Sequence, residues 1–172
     1  MSQYELIQLA DRGSLAKRAA ETIAQVIDLT LAERDRVQIA LSGGSTPEAT
    51  YHLLGQEHLA WDRVDLLMGD ERYVPADDAL SNARMVRGSL MAEGPGQHAC
   101  FHPVPTDGAD VRADVARFNS SLEQICGSSP PEFDLILLGL GDDGHTASLF
   151  PGTAATQVRD RWVTVGEGKG RP

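Results

Sequence analysis

Three short stretches carry the residue types that could do chemistry. In Gly139-Leu140-Gly141-Asp142-Asp143-Gly144-His145-Thr146, an imidazole follows a carboxylate by two positions. A carboxylate so close can fix the tautomer of His145 and stabilise the ring once protonated, as a general acid/base requires. In Gly69-Asp70-Glu71-Arg72-Tyr73, three charges follow the apolar run Leu66-Leu67-Met68. Arg72 is the candidate anion clamp there, because its planar fork matches carboxylate or phosphate and keeps its charge at any relevant pH. In Ser42-Gly43-Gly44-Ser45-Thr46, two glycines and two hydroxyls separate an apolar run from a helix. Free backbone N–H groups and the helix dipole at such a turn can hold an anion.

The same stretches exclude two nucleotide chemistries. No lysine follows Gly43-Gly44, so the turn is not the Walker loop of a nucleoside-triphosphate site. The third stretch contains G-x-G-x-x-G behind an apolar run, yet Asp142 and Asp143 would set two negative charges against a pyrophosphate, and the motif lies late in the chain. A dinucleotide is therefore not expected. Each stretch also has an ordinary reading, as a turn, a solvated charge cluster or a surface histidine. His52, His58, His98 and His102 have no setting comparable to that of His145. Cys100 and Cys126 could form at most one bridge, lack the spacing of a redox or zinc site, and read as idle thiols.

The elements that must position these stretches alternate. Tyr4–Leu9 reads as a strand, followed by a helix capped by Ser14 and running to about Leu29. Val37–Leu41 is the next strand, and a helix follows to Leu54. Either Ser45 caps that helix, with Glu48 closing a box, or Thr46 caps it and Pro47 takes the first helical position. Val64–Met68 and a helix over about Asn82–Met91 repeat the pattern. Cys100–Val104 suits a short edge strand because of Pro103, and Asp110–Ile125 is a helix closed by Gly127. Phe133–Leu138, nearly all apolar, is expected to lie centrally in the sheet, and Arg161–Val165 is the last candidate strand. The alternation predicts an α/β fold with a mostly parallel sheet flanked by helices, and the three stretches on one edge of it.

The 172 residues fit one domain over 1–172. With 15 basic and 25 acidic residues the formal charge is −10, which opposes attraction to nucleic acid or to an anionic membrane surface. The opening Met1-Ser2-Gln3-Tyr4-Glu5 does not read as a leader, and no apolar run is long enough to span a bilayer. The default expectation is a cytoplasmic protein without membrane or nucleic-acid partners.

In combination and in this order, "LSGGSTPEATYHLL", "LLMGDERYVPADDALSNARMVRGSLM" and "FDLILLGLGDDGHTASLFPGT" resemble the 6-phosphogluconolactonase family. The resemblance implies a Rossmann-like three-layer αβα sandwich. It further implies hydrolysis of 6-phosphoglucono-δ-lactone to 6-phosphogluconate in the oxidative pentose phosphate pathway, with no metal or organic cofactor. It carries His145 over as the catalytic acid/base and Asp143 as its neighbour. Gly43, Gly44, Ser45, Thr46, Asp70 and Arg72 map to the pocket for the sugar phosphate, and Asn82 to the family's Ser-Asn pair. The family continues past the position of Arg161–Val165 with another strand and helices that include a pocket lysine, a role not transferred to Lys169. The sheet is expected to lack an edge strand at that end, and the assembly to be a monomer or a homo-oligomer. Two other readings accompany this one: a deaminase or isomerase acting on glucosamine 6-phosphate, and a sugar-phosphate-binding protein without turnover. A DNA-binding partner domain is not expected, because no helix-turn-helix with a basic face is present.

Overall fold

The central strands form where apolar residues can be covered on both faces. β1 (Val37–Leu41) and β2 (Val64–Met68) pair in parallel, from Val37 opposite Val64 to Leu41 opposite Met68. The computed structural model describes residues 4–108 and 110–168. β3 (Cys100–His102) adds in parallel to β2, and β4 (Leu135–Ile136) to β1, giving the order β3-β2-β1-β4.

Three helices, α1 (Arg12–Glu33), α2 (Ser45–Leu54) and α3 (Asn82–Ser89), share one face. Ile23 and Ile27 of α1, Tyr51 and Leu54 of α2, and Val86 of α3 form one core with Ile39, Leu41, Val64 and Leu66. The period-2 alternation of β2 sends Leu67 to the opposite face, where it meets Phe118 and Leu122 of α4 (Val111–Cys126). Helices thus cover both faces of a parallel sheet, as the alternation predicts, in the αβα layering that the resemblance implies. No helix among the described residues is long and apolar enough to cross a membrane.

Several boundaries differ from the sequence reading. Ser14 is not the cap of α1. Asp11 is, its carboxylate accepting the Ser14 N–H at 2.7 Å and the Ser14 hydroxyl at 3.2 Å, so the helix starts at Arg12. Tyr4–Leu9 forms no strand: it pairs with nothing among the described residues, and Tyr4 and Leu6 stand in solvent. Phe133–Leu138 contributes only the two-residue β4, and β4 lies at the edge rather than in the centre. An apolar run reports a wish for cover, not which strands flank it; here Ile136 and Leu138 remain exposed. Arg161–Val165 joins no sheet either. The Asn119 amide of α4 takes its backbone groups instead, accepting from the N–H groups of Trp162 and Val163 and donating to the Val163 carbonyl. Lys169 lies outside the described residues. Cys100 and Cys126 are free thiols.

His102 has a carboxylate partner, contrary to the sequence reading. Asp65, buried on the α4 face of β2, accepts from the Arg36 fork at 2.7 and 2.8 Å and lies 2.8 Å from His102 Nε2. Burial would raise the Asp65 carboxyl, but Arg36 and His102 outweigh it and hold the group below the ordinary carboxylate range. A carboxyl lowered in the folded state adds stability above its unfolded value, and that stability is lost as pH falls through the folded value. Acid unfolding is therefore expected to steepen below about pH 4, and Asp65→Asn to flatten that limb. Chemical denaturation across pH checks this; parallel profiles for the two proteins would refute it.

Candidate functional site

All three stretches reach the carboxyl edge of the sheet, as parallel strands require. A cavity of about 210 Å³ opens there, lined by Ser42, Gly43 and Gly44 after β1, Asp70, Arg72 and Asn82 after β2, and Gly139, Leu140, Gly141, His145 and Ala147 after β4. A larger cleft of about 580 Å³ lies between α4 and residues 160–165. Its lining includes Arg112 and Arg161 but no imidazole and no glycine turn, and Arg161 is tied to Asp160. The smaller cavity therefore holds the residue types that could do chemistry.

The glycine turn is held from beneath. The Tyr51 phenol, fully buried in α2, accepts the Ser42 N–H at 3.0 Å and donates to the Ser42 carbonyl at 2.9 Å. Burial pushes this phenol up to about 12, so it stays protonated and keeps both bonds. Gly44, at φ 112°, adopts backbone that a side chain would strain, and leads straight into α2. No side chain caps that helix, so neither Ser45 nor Thr46 takes the role expected of it. Both residues belong to the first turn of α2 and do not line the cavity. The uncapped first turn retains the donors and dipole that suit an anion.

Asn82 joins the first loop to the second. Its amide packs against the bare Cα of Gly43, where a Cβ would sit 2.1 Å from Asn82 Oδ1, and it donates to the Asp70 carbonyl at 3.0 Å. Glu71, grouped in the sequence with Asp70 and Arg72, faces α3 instead. Its carboxylate accepts from the N–H groups of Asn82 and Ala83, both at 2.7 Å, and so satisfies donors at the start of that helix. Asp70 remains in the cavity and joins the second loop to the third, its carboxylate accepting from the Ser148 hydroxyl at 2.7 Å. The Arg72 side chain is exposed at the cavity rim and enters no ion pair among the described residues.

His145 Nδ1 lies 2.5 Å from Asp143 Oδ1. The bond to His145 keeps the Asp143 carboxyl below its ordinary value, so the carboxylate can only accept. Nδ1 therefore carries the proton, and Nε2 of the neutral ring is left with the lone pair of a base. Phe150 stacks on the imidazole, ring centroids 4.6 Å apart at 27°, and fixes its plane. The turn beneath the ring is tight: Gly141 N–H donates to the His145 carbonyl at 2.8 Å, and Ala147 sits at a φ of 50°, unusual for a residue with a side chain. Asp143 does not line the cavity and acts on it through His145.

Sequence reasoning did not single out Tyr51, Ser148 or Phe150. Tyr51 occupies an apolar helical position and Phe150 ends a motif, so only the fold reveals what their side chains touch. Ser148 follows His145 by three residues, but its partner Asp70 is 78 residues away in the chain.

The sequence model described as "Glucosamine-6-phosphate isomerases/6-phosphogluconolactonase" matches residues 10–172. A 6-phosphogluconolactonase of Synechocystis sp. is 43% identical over 167 residues, covering 95% of this chain and 70% of the relative; one from Nostoc sp. is 40% identical over the same shares. Among solved structures, a 6-phosphogluconolactonase from Shewanella baltica superposes with a TM-score of 0.87 at 28% identity, over 95% of this chain and 70% of that one. A monomeric glucosamine-6-phosphate deaminase, 22% identical with a TM-score of 0.70, shares the fold. With its three loops at one sheet edge, its imidazole–carboxylate pair and these matches along nearly its whole length, the chain belongs to the glucosamine-6-phosphate isomerase/6-phosphogluconolactonase family.

Proposed function

We propose that this protein hydrolyses 6-phosphoglucono-δ-lactone to 6-phosphogluconate, the lactonase step of the oxidative pentose phosphate pathway, with His145 as general base. One observation carries the reading: the imidazole of His145, backed by Asp143, opens on the same cavity as Arg72 and the Gly43-Gly44 turn. The names of the relatives support it.

A lactone is an activated ester, so ring opening needs a positioned water, a base and donors for the developing oxyanion. His145 Nε2 takes a proton from water as the water oxygen bonds to the lactone carbonyl carbon. Asp143 stabilises the imidazolium that results. When the tetrahedral intermediate collapses, the bond from the carbonyl carbon to the ring oxygen breaks, and that oxygen receives the proton from His145. Arg72 and the N–H groups of the glycine turn hold the phosphate, and Asp70 and Asn82 border the sugar. Charge-assisted hydrogen bonds of about 1.5–3 kcal/mol each offset the overall negative charge of the protein at this one spot.

The test is a pH-stat assay on freshly generated 6-phosphogluconolactone. Acid release above the spontaneous rate supports hydrolysis. Ammonia released from glucosamine 6-phosphate would assign deamination instead, and binding of either compound without a product would assign a sensor.

A further inference from the structure

Tyr73 follows Arg72 in the chain but does not line the cavity. Its phenol reaches the α4 side of the molecule, 2.9 Å from Asp114 Oδ2 and 3.0 Å from the Gly108 carbonyl. Asp114, in the first turn of α4, is only 5% exposed. It also accepts the Gly108 N–H at 3.0 Å and Arg117 Nη2 at 3.0 Å, and Arg117 reaches on to Asp107 at 2.6 Å. A Cβ at Gly108 would fall 2.5 Å from Asp114 Oδ1, so the loop closes over the carboxylate only because residue 108 is glycine. Burying a carboxylate is costly unless donors meet its lone pairs. Here donors from three segments of the chain converge on one side chain.

The flanking residue on the other side is anchored too. Glu71 Oε1 accepts the Arg72 N–H at 2.7 Å while the same carboxylate binds the start of α3. The backbone of Arg72 is thus held between α3 and α4, while its guanidinium stays unengaged by any ion pair among the described residues. Fixing the base of a long, mobile side chain lowers the ordering cost its ligand must meet.

We propose that Tyr73 and Asp114 are positioning residues, a latch that holds Arg72 where a phosphate-bearing ligand meets it. The latch rests on the reading of Arg72 as the phosphate clamp, and the experiment separates the two. Isothermal calorimetry measures the Kd of 6-phosphogluconate, and of gluconate as the phosphate-free control, for the wild type, Tyr73→Phe, Arg72→Ala and the double variant. Tyr73→Phe removes a single hydroxyl and is expected to weaken 6-phosphogluconate about fivefold to tenfold, with gluconate unaffected. The double variant is expected to bind no more weakly than Arg72→Ala, because the latch acts through that side chain. Should Tyr73→Phe not fold, Asp114→Asn, which keeps the shape but loses the charge, carries the same comparison. An unchanged Kd in the latch variant, or a further loss on the Arg72→Ala background, overturns the latch. Undiminished binding by Arg72→Ala overturns the clamp instead, and a wild type that binds no 6-phosphogluconate overturns the functional reading and the latch together.

Discussion

His145→Ala is expected to lower lactone turnover by about a hundredfold or more, with little change in substrate affinity. The imidazole is the proposed base, its acidic neighbour can only accept a hydrogen bond, and on that proposal alanine leaves the attacking water without a proton acceptor. The proposed phosphate-binding side of the cavity, Arg72 and the glycine turn, is contributed by other loops and stays in place. The melting temperature should move little, because the ring is about one-third exposed and belongs to neither core. Initial rates from the pH-stat assay, corrected for spontaneous hydrolysis, decide the matter; turnover close to wild type would remove His145 from the mechanism.

The second large effect is expected from a residue with no functional group. A Cβ on Gly141 would lie 2.2 Å from both Cε1 and Nδ1 of His145 and 3.0 Å from Asp143 Oδ1. The backbone cannot retreat freely, since Gly141 N–H is bonded to the His145 carbonyl and the Gly141 carbonyl accepts the Gly144 N–H at 2.9 Å. In Gly141→Ala the ring must therefore swing away from Asp143, and a displacement of about 1 Å in a catalytic group can cost about a hundredfold in rate. Gly88→Ala is the matching control. Nothing lies within 4 Å of its added methyl, and alanine suits the helix, so rate is retained and stability holds or rises by up to about 1 kcal/mol. If Gly141→Ala turns over lactone as fast as the Gly88 variant, the close fit of ring and turn is not needed for the reaction.

Glu71 shows how far a reading of residue types can go. In the chain it stands between two charged cavity residues, Asp70 and Arg72, and is itself charged, yet its carboxylate serves the start of α3, whose N–H groups belong to Asn82 and Ala83. Tyr51 shows the converse: its position on the buried stripe of α2 is legible, but its two hydrogen bonds to Ser42 are not. The apolar run Phe133–Leu138 was readable as a strand and misread in place and length, because neighbours in a sheet are chosen by the path of the whole chain.

The strand–helix alternation, hence a parallel sheet with covered faces, and the three loops that carry the imidazole, the guanidinium and the glycine turn are legible in the chain alone. Those follow from periodicity and local backbone chemistry, which act over a few residues. How the loops meet is settled in three dimensions: Asn82 against Gly43, Ser148 on Asp70, Tyr73 on Asp114. Each of these contacts joins residues dozens of positions apart, and a hydrogen bond depends on distance and angle in space, which chain order alone does not fix.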